Sequence, residues 1–296
     1  MRHSLHLGGL SYSLAVPEGV ELVSSDPLYA PFHEFPPSLP DVPELRVDVR
    51  FRRGVPSQLE APPILFDTGE SWFAQRDGED LILHQRGPGA SDDLLWSARL
   101  SGDRRSVEVT CGDPLWKDGR QQSLDDPFIY PLDQLVTMMV LAHGRRGALL
   151  HAAGVIHHQR AIACVGISGA GKSTLVDLLG NAVHAVSDDR VIVRVDGEEK
   201  TLFGTPWAGE AHVADSLSAP LAGLAFLHQA SVTEAHPLTK KDALHQLLPS
   251  LSVPWFEEQS ATDVLAVAER LLDHVPAHEL HFKPDSDVRH VVDSLF

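Results

Sequence analysis

Residues 166–174 read Gly-Ile-Ser-Gly-Ala-Gly-Lys-Ser-Thr, and no other stretch narrows the possible folds as much. Gly, four residues, then Gly-Lys-Ser is the spacing of a phosphate-binding loop set between a strand and a helix. Glycines let such a loop turn its backbone N–H groups inward, through conformations a side chain would obstruct, to form an anion nest. Lys172 would bring a mobile positive charge to the β- and γ-phosphates, Ser173 a hydroxyl to Mg²⁺, and a helix starting there its positive end. The flanks agree, since Ala161 to Val165 is an apolar run before the loop and Leu175, Val176, Leu178 and Leu179 form a helical face after it. Gly166, Ser168, Gly169, Ala170, Gly171, Lys172, Ser173 and Thr174 are the expected nucleotide-binding residues, with ATP and Mg²⁺ as cofactors.

A second feature follows closely. Asp188 and Asp189 lie 16 and 17 residues after Lys172, behind a short run carrying Val183 and Val186. Adjacent carboxylates serve two needs of phosphoryl transfer: one holds Mg²⁺, directly or through water, and the other accepts the proton of an attacking hydroxyl. Standing alone, Ser187-Asp188-Asp189 would read as a solvated turn or a helix cap. The nearby phosphate loop favours the catalytic reading.

The rest of the chain divides by texture. In the first hundred residues Val47, Val49 and Phe51 alternate with Arg46, Asp48, Arg50 and Arg52, the pattern of a half-buried strand. Asp77-Gly78 and Ser101-Gly102-Asp103 separate apolar runs as hairpin turns do, so a β-meander is expected. Prolines at 31, 36, 37, 40 and 43, and again at 56, 62 and 63, mark loops or edge segments. Pro131 opens a helical pattern through Leu132, Leu135, Val136, Met139 and Val140, closed by Gly144. The expected division is a β-rich domain over 1–130, able to select a substrate or partner, and an α/β domain over 131–296. In the second domain strands are expected over 149–156, 161–165, 191–195, 200–203 and 221–227. Helices are expected over 172–179, 239–248, 261–274 and 285–295, with 279–282 extended.

Composition excludes several partners. Twenty-four Lys and Arg against 41 Asp and Glu give a formal net charge of -17, spread along the chain without a basic block. Such a field repels nucleic acid and anionic lipid. The two cysteines, Cys111 and Cys164, have no neighbour at metal or redox spacing, and no run of eighteen apolar residues occurs. A soluble cytoplasmic protein is expected, and a homo-oligomer is compatible with the sequence.

The order His151, Gly166 to Ser173, then Ser187-Asp188-Asp189-Arg190-Val191 resembles the HPr kinase/phosphorylase family, whose members share the P-loop fold of phosphoenolpyruvate carboxykinase. The match covers about forty-five residues, and the short interval from loop to aspartates is its discriminating feature. The resemblance implies a carboxykinase-like P-loop kinase domain behind the β-rich one. It also implies Asp188 as general base, Asp189 as the Mg²⁺-side carboxylate, His151 beside the transferred phosphate and Lys172 as a catalytic cation. The family's later Glu-Ile-Arg-Gly-x-Gly signature has no counterpart here, so HPr is not the implied substrate. The segment Gly204 to Glu210 and the helical end look instead like HPr-related serine kinases found with peptide-modification genes, such as those of lasso-peptide systems.

From that likeness, transfer of the γ-phosphate to a hydroxyl, a serine of a peptide or protein, is the expected activity. Arg190, Trp207 and Glu210 are its candidate substrate contacts. Arg190 reads equally as a salt-bridge partner of the aspartates, and Trp207 and Glu210 as a packed loop anchor and a solvated carboxylate. An ATP-binding regulatory module without transfer, or a small-molecule hydroxyl kinase, would carry the same loop.

Overall fold

The computed structural model describes residues 2–33, 45–60, 62–88, 93–284 and 288–296. Pro36, Pro37, Pro40 and Pro43 lie outside the described residues, as do the first three residues of the helix expected from 285. The protein is mixed α/β, mostly sheet with few helices, and separates into two compact units. Described residues 2–6, 10–27 and 45–140 form the first, and 7–9, 28–33 and 141–296 the second. The helix that Pro131 opens therefore groups with the first unit as far as Val140.

The first unit is β-rich. Its strands are β1 (Arg2–Leu7), β2 (Leu10–Ala15), β3 (Val20–Val23), β4 (Leu45–Arg53), β5 (Ile64–Asp67), β6 (Trp72–Asp77) and β7 (Asp80–Arg86). They continue with β8 (Leu94–Leu100), β9 (Ser106–Cys111), β10 (Trp116–Lys117) and β11 (Gln122–Asp125). The large sheet runs β1-β2-β4-β9-β8-β7-β6-β5, and a small one β10-β11-β3. From β5 to β9 it is the expected antiparallel meander, with Gly78 at a φ of 60° in the β6–β7 turn. Strands β2, β4 and β9 pair in parallel, which alternation of side chains does not encode. Val47, Val49 and Phe51 are buried and the charged residues between them exposed; each buried side chain contributes on the order of 2 kcal/mol. The short helix α1 (Ala30–His33) belongs to the second unit; here the strands are joined by α2 (Leu132–Ala142), whose Thr137 hydroxyl bonds the Tyr12 hydroxyl at 2.7 Å.

In the second unit the strands are β12 (Gly147–His157), β13 (Arg160–Val165), β14 (His184–Ser187), β15 (Arg190–Asp196), β16 (Glu199–Phe203), β17 (Ser218–Gln229), β18 (Glu234–Pro237) and β19 (Ala277–Phe282). Its helices are α3 (Lys172–Leu179), α4 (Lys240–Leu247), α5 (Glu258–Leu271) and α6 (Val288–Asp293). The sheet order is β13-β12-β15-β16-β17-β19-β18; β13 also pairs with β17, and β14 with β12. One core joins the sheet to α4 and α5 through Leu224, Phe226, Leu247 and Val264, and the opposite one joins it to α3 and α6 through Cys164, Leu175, Leu280 and Val288. Thr239 caps α4 by accepting from the Asp242 N–H, and Glu257 caps α5 by accepting from Ser260.

Strands β13, β17 and β19 are mutually parallel. Their C-terminal ends therefore meet along one edge, where open α/β sheets form ligand crevices. The loop 166–171 leaves β13 at that edge.

Candidate functional site

The loop joins β13 to α3, as its spacing requires. Gly171 takes a φ of 100°, and a β-carbon on it would stand 2.7 Å from the Phe282 ring, so both conformation and space demand glycine. Ile167, Ser168 and Gly169 are exposed at the crest, while Ser173 is partly buried in the first turn of α3. Lys172 is only 7% exposed. Its Nζ curls into the loop and donates to the carbonyls of Gly166 at 2.8 Å and Ile167 at 3.3 Å. Desolvation pulls its ammonium below the ordinary range, an effect the charge of Asp189 opposes.

Strand β12 carries His151 beside this loop, its register partner on β15 being Arg190. His151 Nε2 lies 3.0 Å from Lys172 Nζ and 2.9 Å from Asp189 Oδ1. Asp189 Oδ2 in turn lies 3.3 Å from Arg190 Nε. The bond from His151, more than the charges of Arg190 and Lys172, holds the Asp189 carboxyl below the usual carboxylate range despite partial burial. Lys172, His151, Asp189 and Arg190 thus form one continuous polar chain from the loop 166–171 to the β14–β15 turn.

Asp188, expected as the base, has different surroundings. It is 2% exposed, and its oxygens accept N–H bonds from Gly209 at 2.9 Å, Ala211 at 2.8 Å and Val213 at 3.2 Å. A carboxylate enclosed by three amides is closed to an acceptor hydroxyl, and here it pins the segment 204–215 against the turn. Ser187 tightens the same turn, its hydroxyl donating to the Arg190 carbonyl at 2.6 Å, and Thr205 donates to that carbonyl as well. The amides of 209, 211 and 213 have no side-chain signature, which is why residue types did not reveal them.

Trp207, expected to offer a broad surface to the acceptor, is 5% exposed and packs inside the unit, because its loop folds back on the aspartate turn. Glu210 is exposed, between two of the amides that bind Asp188. Ser173 and Asp189 offer the oxygen donors Mg²⁺ takes, and that ion needs only one or two protein oxygens beside phosphate and water. Among the described residues no three His, Cys, Asp or Glu side chains gather as a metal cluster. No helix among them is long and apolar enough to cross a membrane.

In the first unit a cleft of about 1020 Å³ is lined by Arg53, Pro56, Phe73, Arg86 and Pro114. Both arginines are already paired, Arg53 with Asp113 and Arg86 with Asp67, so the cleft is not an open cationic site.

Compared with known proteins, the chain matches no family model and no curated sequence.

Proposed function

We propose that the protein is a Mg²⁺-dependent, ATP-using phosphotransferase of the HPr-kinase-like, carboxykinase-type P-loop class, acting on a hydroxyl, a serine of a peptide or protein. The observation that carries this reading is the polar chain at the loop: Lys172 Nζ 3.0 Å from His151 Nε2, and His151 Nε2 2.9 Å from Asp189 Oδ1. Binding alone would also use a metal-side carboxylate, so what favours transfer is a histidine and a carboxylate held together against the lysine. A transfer site needs them, because the attacking hydroxyl must lose a proton as it reaches phosphorus.

The roles divide as follows. The amides of 168–173 and Lys172 hold the phosphates, with Lys172 leaving its own loop carbonyls for the nucleotide and neutralising the transferring group. Ser173 and Asp189 would hold Mg²⁺, whose charge supports the developing negative charge. His151, held by Asp189, receives the hydroxyl proton, taking over the part expected of Asp188, while Asp188 keeps segment 204–215 in place. Arg190 orients Asp189.

The test is incubation of the full chain with Mg²⁺, labelled ATP and serine-containing peptides, followed by mass spectrometry. Phosphoserine formed only with Mg²⁺ supports the reading. Tight ATP binding without transfer to any hydroxyl would replace it with a nucleotide-binding module.

A further inference from the structure

The phosphate loop has two flanks. The β12 flank carries the charged groups His151, Asp189 and Arg190. On the β17 flank a cavity of about 440 Å³ opens between loop residues 166–170 and the ends of β17 and α4. Its wall is formed by Phe226, His228, Gln229, Gln246, Pro249 and Ser250, with no carboxylate and no lysine or arginine among its lining residues. That volume suits a small organic ligand.

Its polar groups are held in place. Gln229 Nε2 donates to the Gly169 carbonyl at 2.8 Å, tying the strand end to the loop crest. His228 Nε2 lies 3.2 Å from Gln246 Oε1, and Gln246 Nε2 donates to Glu279 Oε1 at 2.6 Å. The Glu279 carboxylate also meets His281, whose ring centroid is 5.2 Å from that of His228. The exposed His228 ring, part of the cavity wall, is therefore held by the Gln246 carboxamide, which the Glu279 carboxylate holds in turn.

We propose that this cavity is the nucleoside subsite, taking the base and ribose of a purine nucleotide against the His228 ring. The inference rests on the phosphotransferase reading, which puts the terminal phosphate on the carboxylate flank. A triphosphate laid along the loop then sends its other end toward β17. An uncharged sugar and an aromatic base suit the uncharged, partly apolar wall, whereas a phosphate would not. Phe226 and Pro249 supply apolar contact, and the carboxamides of Gln229 and Gln246 each offer a donor and an acceptor to base or sugar edges.

Titration calorimetry of the full chain with MgATP and, separately, with magnesium tripolyphosphate tests this. His228 is exposed at a strand end, so its replacement leaves the fold intact. His228→Ala is expected to weaken MgATP binding about tenfold, the loss typical of a removed stacking surface, and to leave tripolyphosphate binding unchanged. His228→Phe keeps a flat ring and restores MgATP binding. Unchanged MgATP affinity in His228→Ala, equal weakening of both ligands, or no difference between the Phe and Ala variants would overturn the subsite. If the unaltered chain binds tripolyphosphate as tightly as MgATP, the nucleoside is not gripped and the subsite falls while the phosphate loop stands. If it binds neither, the phosphate-loop reading falls and the subsite with it.

Discussion

The Gly209 N–H donates to Asp188 Oδ1 at 2.9 Å, and a β-carbon at position 209 would stand 3.0 Å from Asp188 Oδ2. Two residues 21 positions apart are thus pressed together, and the carboxylate is the fastening of a loop. Asp188→Ala leaves three amides without their acceptor and is expected to destabilise the protein by on the order of 3 kcal/mol in urea unfolding. Gly209→Val forces the same loop away and acts in the same direction. An Asp188→Ala protein as stable as the parent would show that the loop is held by other means.

Asp189 has the opposite profile. Its carboxylate is partly exposed and its partners are His151 and Arg190, so Asp189→Asn is expected to lower thermal melting far less than Asp188→Ala does. Phosphate transfer should fall on the order of a hundredfold, because the substitution takes away the partner that holds the proton-accepting His151 and one oxygen offered to Mg²⁺. Asp189→Asn with full activity would remove the His151–Asp189 pair from the chemistry.

His84 makes the first unit sensitive to acid. The ring is fully buried, stacked on Phe73 at a centroid distance of 4.5 Å and bonded through Nδ1 to the Ser97 hydroxyl. Burial, aided by the charge of Arg86, pulls its pKa from the ordinary 6.5 down to about 4. Between those values the unfolded chain binds the proton and the folded one does not. The contribution is therefore complete above pH 6.5 and is lost as pH falls toward 4, in all about 3 kcal/mol. Unfolding free energies at pH 7 and pH 4 should drop by that much more in the parent than in His84→Gln. Equal drops would contradict the assignment.

Both thiols are predicted to be inert. Cys111 and Cys164 are fully buried, and desolvation pushes each up to about 12, so almost no thiolate exists near neutrality. A disulfide reagent at pH 8 should label neither in the folded protein and both in denaturant. Rapid labelling of the folded chain would show that one of the cores opens.

Much of the second unit was legible because its signals are local. The interval from Gly166 to Thr174 places a loop between β13 and α3 by chemistry confined to nine residues, and the helix from Lys172 to Leu179 follows its apolar spacing. The hairpin announced by Asp77-Gly78 formed for the same reason. What was not legible is what depends on distant partners. The parallel pairing of β4 with β2 and β9 leaves no mark on the alternation of Val47, Val49 and Phe51. The edge strand β18 is four residues, Glu-Ala-His-Pro, too short and polar for a pattern. The separate surroundings of Asp188 and Asp189 come from a backbone segment twenty residues away. Two identical neighbouring side chains on a turn take different partners, and residue type cannot say which is enclosed.

The central claim is that residues 166–174 hold a nucleotide whose terminal phosphate is transferred. Its most direct measurement is Mg²⁺-dependent ATP turnover by the full chain beside Lys172→Ala, with circular dichroism confirming the fold of both. Removing the cation that neutralises the transferring group is expected to reduce turnover by on the order of a hundredfold or more without unfolding the protein. A well-folded Lys172→Ala protein that turns over ATP at the parent rate would contradict the account.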